Sequence, residues 1–251
     1  MSPARVRRDG VAIARALAAG ALACSLAGPA LAGVFSVTPV RIFMATKDRA
    51  TAVTINNEGD DELVMQADIY VWKQKADGSD DLTLSEDLIL SPPILKVAGR
   101  SRQVVRLAMV SPPASAQQLT YRMILREIPE AHAADKKVEL QIALAFSLPV
   151  FITPPGAKRD VECTIARAAP DAVQVRCGNR GSAYAQPREF ALAGAGGEKL
   201  AGLDTGGYIL PGITRAFEMK RSEGRIPGGQ AKLTVNFDDG TSQAFDVTVP
   251  D

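Results

Sequence analysis

From Lys137 to Thr153 the chain reads KVELQIALAFSLPVFIT, and every even position from 138 to 150 is apolar. These positions are Val138, Leu140, Ile142, Leu144, Phe146, Leu148 and Val150. The odd positions are mixed: Glu139, Gln141, Ala143, Ala145, Ser147, Pro149 and Phe151. Apolar residues at every second place mark a β-strand with one buried face. Seventeen extended residues span roughly 55 Å, about three times an ordinary strand. A single sandwich in a chain of 251 residues cannot bury the whole of that face. Part of the row is therefore expected at the surface unless another chain covers it. Pro149 sharpens the point, because proline lacks the amide donor of the ladder and belongs at a strand edge or end. Proteins normally blunt a long apolar edge, so keeping one points to pairing with another polypeptide by strand addition. The same pattern also fits a bent strand that serves both domains and buries all its side chains internally.

The rest of the chain alternates with period two and has almost no helical period. Candidate strands run over Val34–Phe43, Thr51–Asn56, Glu62–Gln74, Leu82–Leu90, Arg102–Ala108 and Thr120–Ile128, followed by Lys137–Thr153. Turn clusters separate them, among them Asn56-Asn57-Glu58-Gly59, Asp77-Gly78-Ser79-Asp80 and Ser111-Pro112-Pro113. Short strands so spaced signal an immunoglobulin-like sandwich. Pro154-Pro155-Gly156 then reads as a hinge. A second, glycine-richer set follows: Asp160–Ala166, Ala172–Cys177, Gln186–Ala191, Ile213–Met219, Gln230–Asn236 and Gln243–Val249. The reading is an all-β chain of two sandwich domains, 33–154 and 155–251, each of ordinary domain size.

Residues 1–32 belong to neither. Arg5, Arg7 and Arg8 precede a small-residue and leucine stretch from Ala16 to Ala27, and Ala30-Leu31-Ala32 is an A-x-A cleavage signal. This is the pattern of a secretory signal peptide, with an apolar core too short to span a bilayer. Its removal takes away four arginines, Asp9 and Cys24, and leaves a slightly acidic exported chain with Cys163 and Cys177. An even cysteine count in an exported protein points to a disulfide. The two cysteines lie at matched distances from the turn at Ala169-Pro170-Asp171, as in a stapled hairpin.

Composition excludes several functions. Lys and Arg number 29 against 28 Asp and Glu, without the basic excess of a nucleic-acid binder. One histidine and three cysteines leave little for a Cys/His metal site or a His-based triad. His132 sits in a small polar loop and reads as a surface residue. No nucleophile elbow, Walker loop or dinucleotide fingerprint occurs. Asp80-Asp81 and Asp238-Asp239-Gly240 lack the oxygen spacing of a calcium loop and read as solvated turns. The expectation is a non-enzymatic protein without metal, cofactor, nucleic acid or small-molecule substrate.

Several segments, in order and spacing across about 33–154, carry a family resemblance. They are Val37-Thr38-Pro39-Val40-Arg41-Ile42, Ser91-Pro92-Pro93, Gln103-Val104-Val105-Arg106-Leu107, Tyr121-Arg122, Leu125-Arg126-Glu127-Ile128-Pro129 and Leu140-Gln141-Ile142-Ala143-Leu144. The chain resembles the periplasmic chaperones of the chaperone–usher pilus (fimbrial) pathway. Trp72, Gln74 and Pro149 look most like the archaic branch. The resemblance implies two immunoglobulin-like domains in an L-shaped arrangement. It also implies donor-strand complementation of pilus subunits, which lack their last strand, and delivery to an outer-membrane usher. The donor side chains would be Leu140, Ile142 and Leu144, extended by Phe146 and Leu148.

Family members also hold the subunit's C-terminal carboxylate with two basic residues. Arg41 matches the first, and an arginine fork suits a carboxylate. The second, a lysine in the better-known branch, aligns with Pro149, and Arg122 is the candidate replacement. Thr153 stands where a better-known member has an arginine that ties the domains together. The competing reading is an exported two-domain sandwich that acts as an adhesin or structural component itself.

Overall fold

The structure is a computed structural model that describes residues 35–75, 77–129, 143–205 and 207–251. The expected signal peptide, His132, Leu140 and Ile142 lie outside the described residues. Every named element among the described residues is a β-strand. In the first sandwich these are β1 (Phe35–Thr38), β2 (Ile42–Ala45), β3 (Ala50–Asn57), β4 (Leu63–Gln74), β5 (Asp80–Leu84), β6 (Leu88–Ser91), β7 (Ile94–Val97), β8 (Arg102–Met109), β9 (Leu119–Glu127) and β10 (Ala145–Thr153). One sheet has the order β1-β3-β8-β6, and the other β2-β10-β9-β4-β5 with β7 also on β4. Val53, Ile55, Met65, Leu107, Met123 and Leu125 fill the space between the sheets and are buried.

The second sandwich comprises β11 (Val161–Ala169), β12 (Ala172–Asn179), β13 (Pro187–Gly194), β14 (Lys199–Asp204), β15 (Thr214–Lys220), β16 (Gly229–Phe237) and β17 (Ser242–Val249). Its sheets are β11-β12-β15 and β14-β13-β16-β17, closed over Val175, Phe190, Leu192, Leu233 and Val235. Cys163 and Cys177 stand directly opposite in the β11–β12 register and are bonded, with Cα atoms 4.1 Å apart. The hairpin read from the sequence is the one formed. Ser36–Asp251 makes one compact unit.

Five stretches differ from the sequence reading. Val34–Phe43 is not one strand: the chain breaks after Thr38 at Pro39, and β2 resumes on the opposite sheet beside β10. Leu82–Leu90 likewise divides into β5, paired to β4, and β6, paired to β8. Period-two alternation reports extended backbone but not which neighbour it pairs with, so both sheet changes escaped it. β7 and β14 were not expected. In the long segment, Ala143 and Leu144 lie outside the strand, and β10 begins at Ala145.

Burial phase explains how two strands reach beyond their own sandwich. β4 buries odd positions as far as Ile69, then switches to Trp72 and Gln74. β10 is buried on both faces from Leu148 to Ile152. These switches carry Trp72, Gln74 and Phe151 out of the first core and into contact with the second sandwich.

Candidate functional site

β10 is paired unequally along its length. Its far half, Val150 to Thr153, lies between β9 on one side and β2, in parallel, on the other. Its near half, Ala145 to Pro149, pairs with β9 alone among the described residues. Pro149 occupies the last position before β2 joins, where a missing amide donor is tolerated. The even row divides at the same place. Leu144 is 37% exposed and Phe146 is half-buried, whereas Leu148 is buried opposite Met123 in its own core. Leu148 therefore spends its side chain inside this molecule, where a donor residue would face outward. On the other face Phe151 is fully buried at the joint, so a strand serving both domains describes this half of β10, which stays within one sheet.

Arg41 lies in the bend between β1 and β2, and its side chain retains 36% exposure. Its Nη1 donates to Asp238 Oδ2 at 2.5 Å and to Gln186 Oε1 at 3.1 Å. Asp238 is in the β16–β17 turn and only 11% exposed, and it also accepts a hydrogen bond from the Tyr184 hydroxyl at 3.1 Å. This corrects the reading of the 238–240 turn as wholly solvated. Burial pushes the Tyr184 phenol well above its usual pKa, and the Asp238 carboxylate adds to the shift.

Arg122 stands directly opposite Pro149 in the β9–β10 register, so the candidate replacement lies beside the position it is expected to stand in for. Its guanidinium stacks over Trp72 at 3.7 Å from the ring centroid, and Nη2 donates to Asp80 Oδ2 at 3.3 Å. Trp72 Nε1 donates to the same carboxylate group at 2.8 Å. The Arg122 side chain is 13% exposed, and its buried Nε has no hydrogen-bond partner among the described residues. Burial pulls its pKa below the usual arginine value, with Asp80 opposing. Arg41 and Arg122 both act on one group: the Tyr208 phenol is raised by burial, and each arginine pulls it back.

Between the two sandwiches runs an aromatic joint. Phe151 stacks on Tyr184 with centroids 4.2 Å apart, and Trp72 meets Tyr208 edge-on at 5.2 Å. Phe43, though 55% exposed, stacks on Phe151 at 5.5 Å. Two buried glutamines clasp the joint. Gln74 Nε2 donates to Tyr208 O at 3.1 Å, and its Oε1 accepts from Leu210 N at 2.9 Å. Gln118 Nε2 donates to Thr153 Oγ1 at 2.8 Å, and its Oε1 accepts from Tyr184 N at 2.9 Å. The arginine tie missing at Thr153 is thus replaced by a neutral hydrogen-bonded contact. Sequence reasoning named Trp72 and Gln74 but missed Gln118, Tyr184, Tyr208 and Asp238, whose partners lie far away along the chain.

Comparison with known proteins follows the same lines. The sequence profile described as "Pili and flagellar-assembly chaperone, PapD N-terminal domain" matches residues 34–158. A search of curated protein sequences finds no match. Among solved structures, the fold is similar to that in the CsuC–CsuE chaperone–tip adhesion subunit complex of Acinetobacter baumannii. That match has a TM-score of 0.62 at 19% identity and covers 87% of this chain and 100% of the other. The E. coli chaperone DraB matches with a TM-score of 0.54 at 16% identity, over 87% and 97% of the two chains. The SafB chaperone of Salmonella enterica, crystallised with the SafA pilin, matches with a TM-score of 0.55 at 11% identity, over 86% and 97%. With the profile match over the first sandwich and a fold shared along both, the chain belongs to the pilus-assembly chaperones of the chaperone–usher pathway.

Proposed function

We infer that the protein is an exported, periplasmic chaperone that binds pilus subunits by donor-strand complementation and passes them to an outer-membrane usher. The signal peptide over 1–32 and the two domains, 33–154 and 155–251, belong to this reading, as does membership of the archaic branch. The observation that carries it is the division of β10: Val150–Thr153 lies between β9 and β2, while Leu144, just ahead of the strand, stays 37% exposed. A subunit lacking its last strand exposes an apolar groove, and the segment leading into β10 offers it large apolar side chains at alternate positions, with Leu144 exposed. Each such side chain docked in a groove contributes about 1.5–3 kcal/mol. Arg41, 36% exposed, and Arg122, beside Pro149, are the cations available to the subunit's terminal carboxylate. Binding and release need no nucleotide, because a subunit's own strand can replace the donor and release the folding energy withheld until then. The similar structures hold partners of this kind: CsuC with a tip adhesion subunit, SafB with a pilin.

The test is co-expression with pilus subunits and isolation of a 1:1 complex, in wild type and in the Ile142→Asp and Leu144→Asp variants. Each substitution removes a docked side chain and places a charge in an apolar groove, so complex recovery is expected to fall more than tenfold. Undiminished recovery from both variants, with the chaperone folded, removes the donor-strand assignment.

A further inference from the structure

We propose that Asp238 is a resident stand-in for the subunit's carboxylate: it holds Arg41 in the free chaperone and is displaced when a subunit's C-terminus binds. The inference rests on the reading of Arg41 as a carboxylate anchor. Three observations carry it. First, Arg41 is not idle but forms a 2.5 Å charge-assisted hydrogen bond to a carboxylate from the other sandwich. Second, that carboxylate is itself held in place by the Tyr184 hydroxyl, so it is positioned and not merely nearby. Third, the Arg41 side chain keeps 36% exposure, so an incoming group can reach the guanidinium while the pair is formed.

The chemistry of the exchange is balanced. A part-buried guanidinium left without a carboxylate forfeits strong hydrogen bonds, so an empty anchor would be destabilising. Asp238 fills that role before loading. A terminal carboxylate offers the same acceptor geometry and leaves Arg41 with the same kind of contact. Asp238 is then left with Tyr184, which continues to donate to it. The exchange therefore contributes little net affinity, but it discriminates: a C-terminal amide, or an internal segment without a carboxylate, cannot replace what it displaces. The anchor reads chemical identity more than it adds binding strength.

The joint permits this. Among the described residues, Arg41–Asp238 is the ion pair that crosses between the sandwiches, while Gln74 and Gln118 clasp the joint with neutral amide contacts. Breaking the ion pair leaves the clasps intact, so a subunit can unlock Arg41 without separating the domains.

The experiment uses the full mature chain and two probes. One is an acetylated pentapeptide of alternating valine and threonine with a free C-terminal carboxylate, and the other is the same peptide amidated. Binding is followed by calorimetry and by the arginine side-chain resonances of Arg41. Wild type is expected to prefer the acid peptide. Asp238→Asn, nearly isosteric and still able to accept from Tyr184, is expected to raise that preference at least fivefold. Tyr184→Phe, which frees Asp238 without removing it, is expected to raise it less. Arg41→Ala is expected to abolish the preference in either background. An unchanged or smaller acid preference in both folded Asp238→Asn and Tyr184→Phe overturns the stand-in role while leaving Arg41 as anchor. Equal binding of the two peptides in wild type and in Asp238→Asn overturns the anchor reading and the inference with it.

Discussion

Replacing Gln74 by alanine is expected to uncouple the two sandwiches. The Gln74 amide is 9% exposed and meets the backbone at residues 208–210 twice, donating to Tyr208 O at 3.1 Å and accepting from Leu210 N at 2.9 Å. It behaves like one extra residue of a ladder laid across the joint. Truncation leaves the Leu210 N–H without its partner beside Trp72, Phe151 and Leu210, which are almost fully buried, while Tyr208 O keeps the bond it accepts from Arg215 Nη1 at 2.9 Å. Each orphaned buried group costs about 1–3 kcal/mol. With one orphaned donor, one weakened acceptor and some water admitted into the space vacated, the total is about 2 kcal/mol. Most of that loss falls on domain coupling. The chain has one tryptophan, Trp72, and it touches Tyr208 of the second sandwich, so its emission reports the joint directly. Urea unfolding of the mature chain followed by Trp72 fluorescence and by far-ultraviolet circular dichroism is the assay. Wild type is expected to give coincident curves. In Gln74→Ala the fluorescence transition is expected to move to lower urea and separate from the dichroism curve. Coincident curves within about 0.5 kcal/mol of wild type would refute the clasp, because ordinary surface substitutions fall in that range.

Two other outcomes follow from the second sandwich. Arg159, hydrogen-bonded to Asp239, holds that carboxyl down to about 2, below its usual 3.8. A group depressed in the folded state stabilises above its unfolded pKa and loses that contribution as pH falls through the folded one. Asp239→Asn is therefore expected to lower stability at pH 7 by no more than about 1 kcal/mol, since the side chain is 46% exposed and solvent screens the pair. The difference from wild type should fade between pH 4 and pH 2 in thermal melts, and a pH-independent difference would contradict the assignment. Replacing Cys163 and Cys177 together by alanine opens a loop of 14 residues and is expected to cost about 3 kcal/mol, checked by urea unfolding under oxidising conditions. Equal stability of the double variant would show that the staple does not constrain the unfolded chain.

What could be read from the sequence divides by the range of the contact. The β11–β12 hairpin was legible because its cysteines flank one turn symmetrically and need only local pairing. The alternation of β10 was legible as a strand, and Pro149 stands just before the point where β2 joins it. The sheet changes after Thr38 and between Leu84 and Leu88 were not, because a side-chain period of two is the same on either sheet. The cleft chemistry was half legible. Arg41 and Arg122 could be picked out, and the register places Arg122 beside Pro149, but their partners could not. Asp238 lies 197 residues from Arg41, and it sits in an acidic turn whose other member, Asp239, is solvated with Arg159. Nothing in the string Asp238-Asp239-Gly240 says which carboxylate turns inward.

The parallel pairing of β2 with the far half of β10 has a metrical consequence. Ile42 opposite Val150 fixes β10 lengthwise, and Ile42 directly follows Arg41 in the chain. Arg41 and the near half of β10 are thereby set on one scale, with Ala145 five residues, about 17 Å of extended backbone, from Val150. A polypeptide whose terminus is pinned at Arg41 and whose backbone runs along Ala145–Pro149 has no freedom of frame. Which of its alternating positions meets Leu144 is decided by counting from its last residue. A partner lengthened by one residue at that end would present the opposite face.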